Sequence, residues 1–440
     1  MTLGQALVIG GLHFPLMRIL ILFGLARIIL RRELSGITPN AIDGVLIAWV
    51  LASSFLYVLF DGTNVPVTGR LGYAYNAVGM YVLVRASVRT LDDIVLVVTA
   101  CAVFIIPLAV LFVVENVTGR SPFAAFGGVP LVSEIRNGRV RCQGPFGHPI
   151  LAGTFGATAM PLFVGLWVYS KGKRFLATFA IVSATTIVVT SGSSGPVIAI
   201  LISTAGLACW SCRKFTRAIR WGLVTGVLGL AVVMKQPVWF VISRVSDLTG
   251  GSGWYRSALI DAALRHFDEW WLIGTGYTAH WMPTGLLASV SSADLVNEFV
   301  AQGVQGGLLA LLLFVWLIVK CFKTIGAAVR STADHSLKMR FVIWSMGCGL
   351  LAHVASFFSV SYFDQIIIFW YLQLGTVAAL SSQAKALVCD RSPIRVQRGP
   401  VRKARLAHFR GAKSLSPSRI SAGGKFSSEV GKNTLSFGGR

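Results

Sequence analysis

The sequence predicts an all-α fold: a polytopic membrane helical bundle of about 11 spans with a large, partly helical periplasmic loop. Hydrophobic residues make up 54% of the 440 residues, and charged residues only 13%. The mean hydropathy is +0.70. Apolar stretches close to the ~20 residues that cross a bilayer recur along the chain. A water-soluble protein of this length could not remove so much apolar surface from water, so we expect the chain to lie in a membrane.

The expected spans are joined by short links, except for long loops after the fourth and the eighth span. Their approximate bounds are residues 8–30, 43–60, 71–88, 93–115, 148–170, 175–190, 194–210, 219–240, 297–319, 340–360 and 362–383. The third and the sixth are short for a span. The first carries Arg18 near its middle, which leaves open whether it crosses the membrane, re-enters it or is divided.

The positive charge is concentrated in the links and at the carboxyl end. The net charge is +23, and basic clusters such as Lys171 to Arg174 and Arg213 to Arg220 separate predicted spans. By the positive-inside rule these links face the cytoplasm, so the charge indicates topology rather than nucleic-acid binding. Residues 1–387 form the predicted transmembrane domain, and residues 388–440 a basic, disordered cytoplasmic tail. The tail either contacts anionic lipid headgroups or only fixes the topology.

This orientation leaves two long periplasmic loops, residues 117–147 and 241–296, which contain arginine but no lysine. A guanidinium group can donate two parallel hydrogen bonds to a phosphate and stays charged when it is partly desolvated. The loops are therefore a candidate diphosphate-binding face, and His148 stands where the first loop enters the next span. The alternative is ordinary surface arginines paired with nearby acids. The candidate diphosphate ligands are Arg136, Arg139, Arg141, His148, Arg244, Arg256 and Arg265.

Arg256 is the arginine that we expect to point inward. The stretch from Trp254 to Phe267 has apolar residues at helical spacing. Arg256 shares a face with Ile260 and Leu264, so it should be covered and should need an anionic partner. Arg265 follows Asp261 by four residues, and we expect those two to form a pair on the helix surface.

Candidate catalytic groups lie where the second loop meets the ninth span. Ser291 and Asp294 have the spacing of a capping box that begins a helix. Asp294 is thus either a helix cap or a carboxylate able to accept a proton from a sugar hydroxyl. Glu298 and His280 are further candidate bases, and Asn297 lies beside Glu298. No cluster of His, Cys and Asp has metal-ligand spacing, so we expect no metal and no cofactor.

The chain resembles the superfamily of O-antigen ligases and polymerases at three positions. Arg141-x-x-Gly144-x-Phe146-x-His148-Pro149 is similar to the family's Arg-x-x-Gly-x-Phe-x-Asn-Pro entry into a span. The Thr190 to Pro196 stretch lies where many members have Ser-Arg-Gly. The Arg256 to Gly276 stretch is similar to the family's arginine-bearing helix and Gly-x-Gly turn, and is closed by Asn297-Glu298-Phe299 and Gly303-Val304-Gln305-Gly306-Gly307. Together these motifs cover roughly residues 135–320.

Two departures separate this chain from the ligases. Val296 stands at the position of the family's catalytic histidine, and the arginine of Ser-Arg-Gly is absent. Both are more similar to the exopolysaccharide-polymerase branch, and they leave open an inactive member.

The resemblance implies metal-independent glycosyl transfer on the periplasmic face of a bacterial inner (plasma) membrane. The donor would be an undecaprenyl-diphosphate-linked repeat, and the acceptor another glycan. A chain-length regulator or a flippase would be a partner. A ligase acting on lipid A core is the first alternative. A glycolipid transporter or flippase and a non-catalytic assembly partner are alternatives of other classes.

Overall fold

The computed structural model describes residues 5–9, 12–35, 37–61, 67–247, 253–283, 289, 291–332 and 336–390. Within these ranges the chain is almost entirely helical, as predicted. The helices are α1 Leu16–Leu30, α2 Ala41–Asp61, α3 Val67–Ser87, α4 Leu91–Thr118, α5 Pro149–Tyr169, α6 Arg174–Thr190, α7 Ser194–Ala208, α8 Thr216–Val233, α9 Val241–Asp247, α10 Gly253–Arg265, α11 Phe267–Trp270, α12 Glu298–Ser331, α13 Leu337–Phe357 and α14 Ile366–Asp390.

Short strands and 3-10 turns complete the described secondary structure. Strand β1 (Ala6–Ile9) pairs antiparallel with β2 (Leu12–Pro15), and β3 (Glu134–Arg136) forms an antiparallel hairpin with β4 (Arg139–Arg141). The 3-10 turns are Pro122–Phe126, Lys171–Lys173, Arg213–Phe215, Val238–Phe240 and Ala279–Trp281.

Among the described residues, seven helices are long and apolar enough to cross a membrane: α2, α4, α5, α6, α8, α12 and α13. Two shorter apolar helices are α7 and the Ile366–Ser381 part of α14. A helix lies in each of the eleven predicted ranges. The total of eleven spans stays a prediction, because α1, α3, α7 and α14 do not meet both requirements. The predicted tail from residue 388 lies almost wholly outside the described residues.

The prediction of one helix over residues 8–30 was wrong in its first third. Ala6–Ile9 and Leu12–Pro15 form the paired strands β1 and β2, and α1 begins at Leu16. Arg18 therefore lies in the first turn of α1 rather than in the middle of a span. Its carbonyl accepts a hydrogen bond from the hydroxyl of Tyr75 on α3 (2.9 Å).

Helix α5 is the centre of the bundle, since 83% of its most apolar stretch is buried. It packs against α6, α7 and α13. Small residues permit the close approach: a Cβ at Gly156 would lie 2.6 Å from the carbonyl oxygen of Ala184 on α6. Helix pairs in membranes gain van der Waals contact in this way. The residue before α5 is His148, so this packing places the end of the 117–147 segment against the bundle.

Helix α12 is kinked at Gly306 and Gly307, where the backbone leaves the helical region. Gly307 has φ +67°, and a Cβ there would lie 2.5 Å from the carbonyl oxygen of Leu272. The backbone groups released by the kink are satisfied from outside the helix: Thr275 donates its N–H to the carbonyl of Val304 (2.8 Å), and Leu308 donates to Trp271 (2.8 Å). The kink therefore joins α12 to the segment between α11 and the following turn.

Candidate functional site

The β3–β4 hairpin directs Arg141 into the protein. Asn137 and Gly138 both have positive φ (52° and 72°), the backbone of a tight two-residue hairpin turn. The pairing sets Glu134 opposite Arg141, and their side chains form an ion pair of 2.7 Å. Arg141 is buried, with 6% of its surface exposed. Arg136 and Arg139 face each other at the exposed end of the same hairpin.

Arg141 also reaches the amino end of α7. Its Nη2 donates to the hydroxyl of Ser193, which precedes the helix (3.0 Å). Gly192 before it has φ +56°, and a Cβ there would lie 3.0 Å from Cγ of Arg141. Glycine at this position thus permits both the turn and the close passage of the arginine.

Arg256 reaches the same helix end from α10. It is 7% exposed, and its Nη1 donates to the hydroxyl of Ser194 (3.3 Å). Burial lowers the pKa of Arg256 to about 10, with further lowering by the positive charges of Arg136 and Arg141. The inward position predicted for Arg256 is confirmed. Leu264, predicted to share its face, is 49% exposed, so the covered face is rotated towards Leu259 and Ala263.

We call Arg136, Arg141 and Arg256, with the amino end of α7, the arginine cluster. Glu134 is the acid that pairs with it among the described residues. The backbone N–H groups of a helix's first turn favour an anion. Ser193, which precedes α7, makes no capping hydrogen bond to them with its side chain. Buried guanidinium groups around such a helix end are chemically suited to hold a phosphate or diphosphate group.

His148 faces this charge from the start of α5. Its Nδ1 accepts a hydrogen bond from the N–H of Ile150 (3.2 Å) and caps the helix. Burial lowers the pKa of His148, and the charges of Arg141 and Arg136 lower it further against the opposing effect of Glu134. The ring is therefore neutral near pH 7. With Nδ1 as acceptor its proton resides on Nε2, which makes it a hydrogen-bond donor.

The segment between Arg141 and His148 is held by Glu115 at the end of α4. Glu115 is fully buried, and its two carboxylate oxygens accept from the N–H groups of Gln143 (3.0 Å) and Gly144 (2.9 Å) and from the hydroxyl of Ser133 (2.9 Å). The sequence around Glu115 does not indicate this role. A buried carboxylate with several backbone donors fixes the loop that carries Arg141.

The connection between α13 and α14 contacts the same loop from the other side. Asp364 accepts the N–H of Gly147 (2.6 Å), and Gln365 donates to the carbonyl of Pro145 (2.7 Å). Earlier in the connection, Ser359 lies against Gly195 of α7. A Cβ at Gly195 would lie 2.3 Å from the Oγ of Ser359 and would displace that side chain. One short connection thus contacts the entry to α5 and the amino end of α7.

The same connection binds the start of α12 through Glu298. The buried carboxylate of Glu298 accepts the N–H of Tyr362 (2.6 Å) and the side-chain amide of Gln302 (2.8 Å). Gln302 in turn accepts from the indole of Trp49 (2.9 Å). Glu298 is therefore engaged in a structural network. Asn297 is the helix cap, and its side-chain oxygen accepts from the N–H groups of residues 299 and 300 (2.9 and 3.2 Å).

The capping box predicted at Ser291 and Asp294 was wrong. Helix α12 begins at Glu298. Asn297 is its cap because its short side-chain amide reaches the free N–H groups of residues 299 and 300 in the first turn. Asp294 lies in the extended segment before it, where its carbonyl accepts from the hydroxyl of Tyr255 (2.9 Å). Burial raises the pKa of Asp294. Tyr255 is the neighbour of Arg256, so this hydrogen bond holds Asp294 beside α10.

The remaining predicted residues lie elsewhere. Arg265 pairs with Asp261 at 2.7 Å on the surface of α10, as predicted. Arg244 is exposed on α9. His280 bonds to Glu269 (2.9 Å), which also bonds to His266 (2.8 Å). No hydrogen bond or ion pair among the described residues connects these groups with the arginine cluster. His266, Glu269 and His280 come together only after folding, so their spacing along the sequence does not reveal this group.

The chain was compared with known protein families, with curated proteins and with solved structures, and none of them matches it.

Proposed function

We propose that this protein is an integral membrane glycosyltransferase that polymerises undecaprenyl-diphosphate-linked oligosaccharide repeats into a surface polysaccharide on the periplasmic face. The arginine cluster carries the proposal. Two buried guanidinium groups, Arg141 and Arg256, come from segments far apart in the sequence and donate to adjacent serines at the amino end of an apolar helix. The motifs that resemble the O-antigen polymerases and ligases contribute Arg141, Arg256 and the amino end of α7 to this cluster.

The cluster would bind the diphosphate of the donor and stabilise the charge that develops on it as the glycosidic bond breaks. Preorganised donors aimed at a developing charge lower the barrier most when they are shielded from water. Arg141 and Arg256 are shielded, while Arg136 and Arg139 at the open end of the hairpin would attract the donor. His148, with its proton on Nε2, would add a neutral donor to a phosphate oxygen.

Asp294 is the base that we assign to the acceptor hydroxyl. Asp294 is partly covered by protein but still reaches solvent, whereas Glu298 is committed to Tyr362 and Gln302 and His280 is bound to Glu269. The bond from Tyr255 ties the Asp294 backbone to the helix that bears Arg256. Burial raises the pKa of Asp294, which makes its carboxylate a stronger base than that of an ordinary aspartate.

The test is complementation of a strain that lacks the gene, with the length of lipid-linked glycans resolved on gels. We expect wild-type protein to restore long chains, and Arg141→Ala and Arg256→Ala to leave single repeats on the carrier. Arg265→Ala is the matched control, since it removes an arginine from the same helix as Arg256 but from an exposed surface pair. Arg256→Lys keeps the charge and loses the two-pronged donor, so we expect partial rescue at most.

Three results would contradict the proposal in different ways. Full rescue by both alanine variants, at wild-type membrane levels, would remove the arginine cluster from the mechanism. Long chains that accumulate on the carrier in the deletion strain would indicate the ligase instead. Translocation of glycolipid by the purified protein in vesicles, without new glycosidic bonds, would indicate a transporter.

The transporter is the second candidate because of one observation. Glu298 accepts from the Tyr362 backbone, and the hydroxyl of Tyr362 lies 2.7 Å from Nδ1 of His353 on α13. Ionisable groups inside a helical bundle are common in ion-coupled transport. Glu298→Gln distinguishes the two candidates. If the protein is a polymerase in which Glu298 is structural, the variant should still polymerise repeats. If the protein is an ion-coupled transporter, the variant should lose transport.

A further inference from the structure

Two histidines and a glutamate that the proposed function does not use lie together beyond the end of α10. His266 precedes α11, Glu269 lies in α11, and His280 lies in the 3-10 turn Ala279–Trp281. One ligand atom from each lies within 4.8 Å of the other two. Oε1 of Glu269 lies 2.8 Å from Nδ1 of His266 and 2.9 Å from Nε2 of His280.

The surroundings hold these three side chains in orientation. The ring of His266 stacks on the indole of Trp281 with 8° between the planes, and the ring of His280 stacks on Tyr277 with 14°. The second oxygen of Glu269 accepts from the indole N–H of Trp281 (2.9 Å). This leaves Oε1 directed between the two imidazoles. Such outer hydrogen bonds orient the ligands of metal sites.

We propose that His266, Glu269 and His280 form a binding site for a transition metal ion of the Zn²⁺ class. Two imidazole nitrogens and one carboxylate oxygen are a ligand set that Zn²⁺ prefers, and it leaves one position of a tetrahedral ion open. Bonds of ~2.0–2.1 Å at tetrahedral angles separate ligand atoms by about 3.3 Å. The observed 2.8 and 2.9 Å contacts therefore have to open by about half an ångström. The three side chains are 30–37% exposed, which leaves room for this movement.

Metal binding replaces the hydrogen bonds with coordinate bonds. Nδ1 of His266 and Nε2 of His280 bind the ion through their lone pairs, so each neutral ring carries its proton on the other nitrogen. The carboxylate of Glu269 supplies the third ligand atom, Oε1, which already lies within hydrogen-bond distance of both rings. A pocket of about 230 Å³, lined by residues including His266, Trp281 and Asp261, opens beside His266.

A bound ion would hold the segment that follows α10 in place. His266 is continuous with α10, and His280 lies in a turn whose Thr278 bonds to Ser291 and Ala293 before α12 (3.0 Å each). An ion that joins His266 to His280 would tie the end of α10 to the approach to α12. This site is independent of the proposed transferase activity.

The test uses full-length protein purified in detergent, with any affinity tag removed and metal stripped by a chelator. Co²⁺ is titrated at about pH 7.5, where imidazole is mostly neutral, and followed by its visible absorption; Zn²⁺ then displaces it. We expect one Co²⁺ per chain in the wild type and at least 10-fold weaker binding in His266→Ala and His280→Ala. Asp268→Asn is the matched control: it removes a neighbouring carboxylate of α11 from outside the cluster, and it should bind as wild type does.

Glu269→Gln guards against a folding defect, because its amide oxygen can still accept from Trp281. We expect it to elute as a monodisperse peak and to bind Co²⁺ at least 10-fold more weakly. Stoichiometric binding that is unchanged in both histidine variants would place the ion elsewhere and overturn the proposal. Absence of stoichiometric binding to the wild type would show that the three groups form only a hydrogen-bonded cluster, and would also overturn it. Neither result bears on the arginine variants of the complementation assay.

Discussion

Replacing Glu115 with alanine should destabilise the segment that carries Arg141. The fully buried carboxylate accepts the backbone N–H groups of Gln143 and Gly144 and the hydroxyl of Ser133. Removal leaves both N–H groups buried without a partner. An unsatisfied buried donor costs about 1–3 kcal/mol, so the two together lower the free energy of unfolding by about 2–6 kcal/mol. The serine hydroxyl can rotate and adds less.

The assay is the thermal stability of the purified protein in detergent, read as loss of the monodisperse peak on heating. Thr118→Val is the matched control at the same helix end, because its hydroxyl is exposed and bonds only to nearby backbone groups, the carbonyls of Val114 and Arg120 and the N–H of Arg120. Glu115→Gln should be intermediate, since its amide presents one oxygen and one opposing donor. Equal stability of Glu115→Ala and Thr118→Val would refute the argument that this carboxylate holds the loop.

Two further results are expected. Gly307→Ala should destabilise the protein by about 1–3 kcal/mol, because φ is +67° and a carbonyl occupies the place of the new Cβ. Gly226→Ala in α8 should not destabilise the protein, because a Cβ there meets nothing within 4 Å. Equal melting temperatures of the two variants would contradict the close packing of the α12 kink against Leu272. For glycosyl transfer, Asp294→Asn should abolish the reaction, and the wild-type rate should fall as pH decreases through the pKa of Asp294, which burial places above that of an ordinary aspartate. Protonation removes the base, so the acidic limb should lie above the usual range for aspartate. A rate independent of pH down to pH 4, or an active Asp294→Asn, would exclude Asp294 as the base.

Features governed by local sequence could be predicted before the structure was known. The surface pair of Asp261 and Arg265 depends only on their spacing along one helix, and it is confirmed at 2.7 Å. The inward position of Arg256 followed from the periodicity of α10 in the same way. The prediction of the α12 cap was wrong. Ser291 and Asp294 match the sequence pattern of a capping box, but the chain before Asn297 is extended and bonded to α10.

Contacts between distant segments could not be predicted. Nothing in the sequence near Glu115 indicates that it binds Gln143 and Gly144, or that Asp364 binds Gly147. These acids lie at helix ends, where a solvated carboxylate is equally consistent with the pattern. The grouping of His266 with His280 depends on the path of the chain through Gly274, whose φ of +98° and contact with α12 are set by packing.

The sequence by itself determined that the chain is a bundle of apolar helices and where those helices lie, because length and hydrophobicity of each stretch are local properties. It also singled out Arg141 and Arg256 as unusual charges. Only the tertiary structure decided that both arginines meet at Ser193 and Ser194, and that Glu298 is committed to a buried network. The reason is physical: a buried charge takes its partner from whichever element packs against it, and the arrangement of helices around α5 is a property of the whole chain.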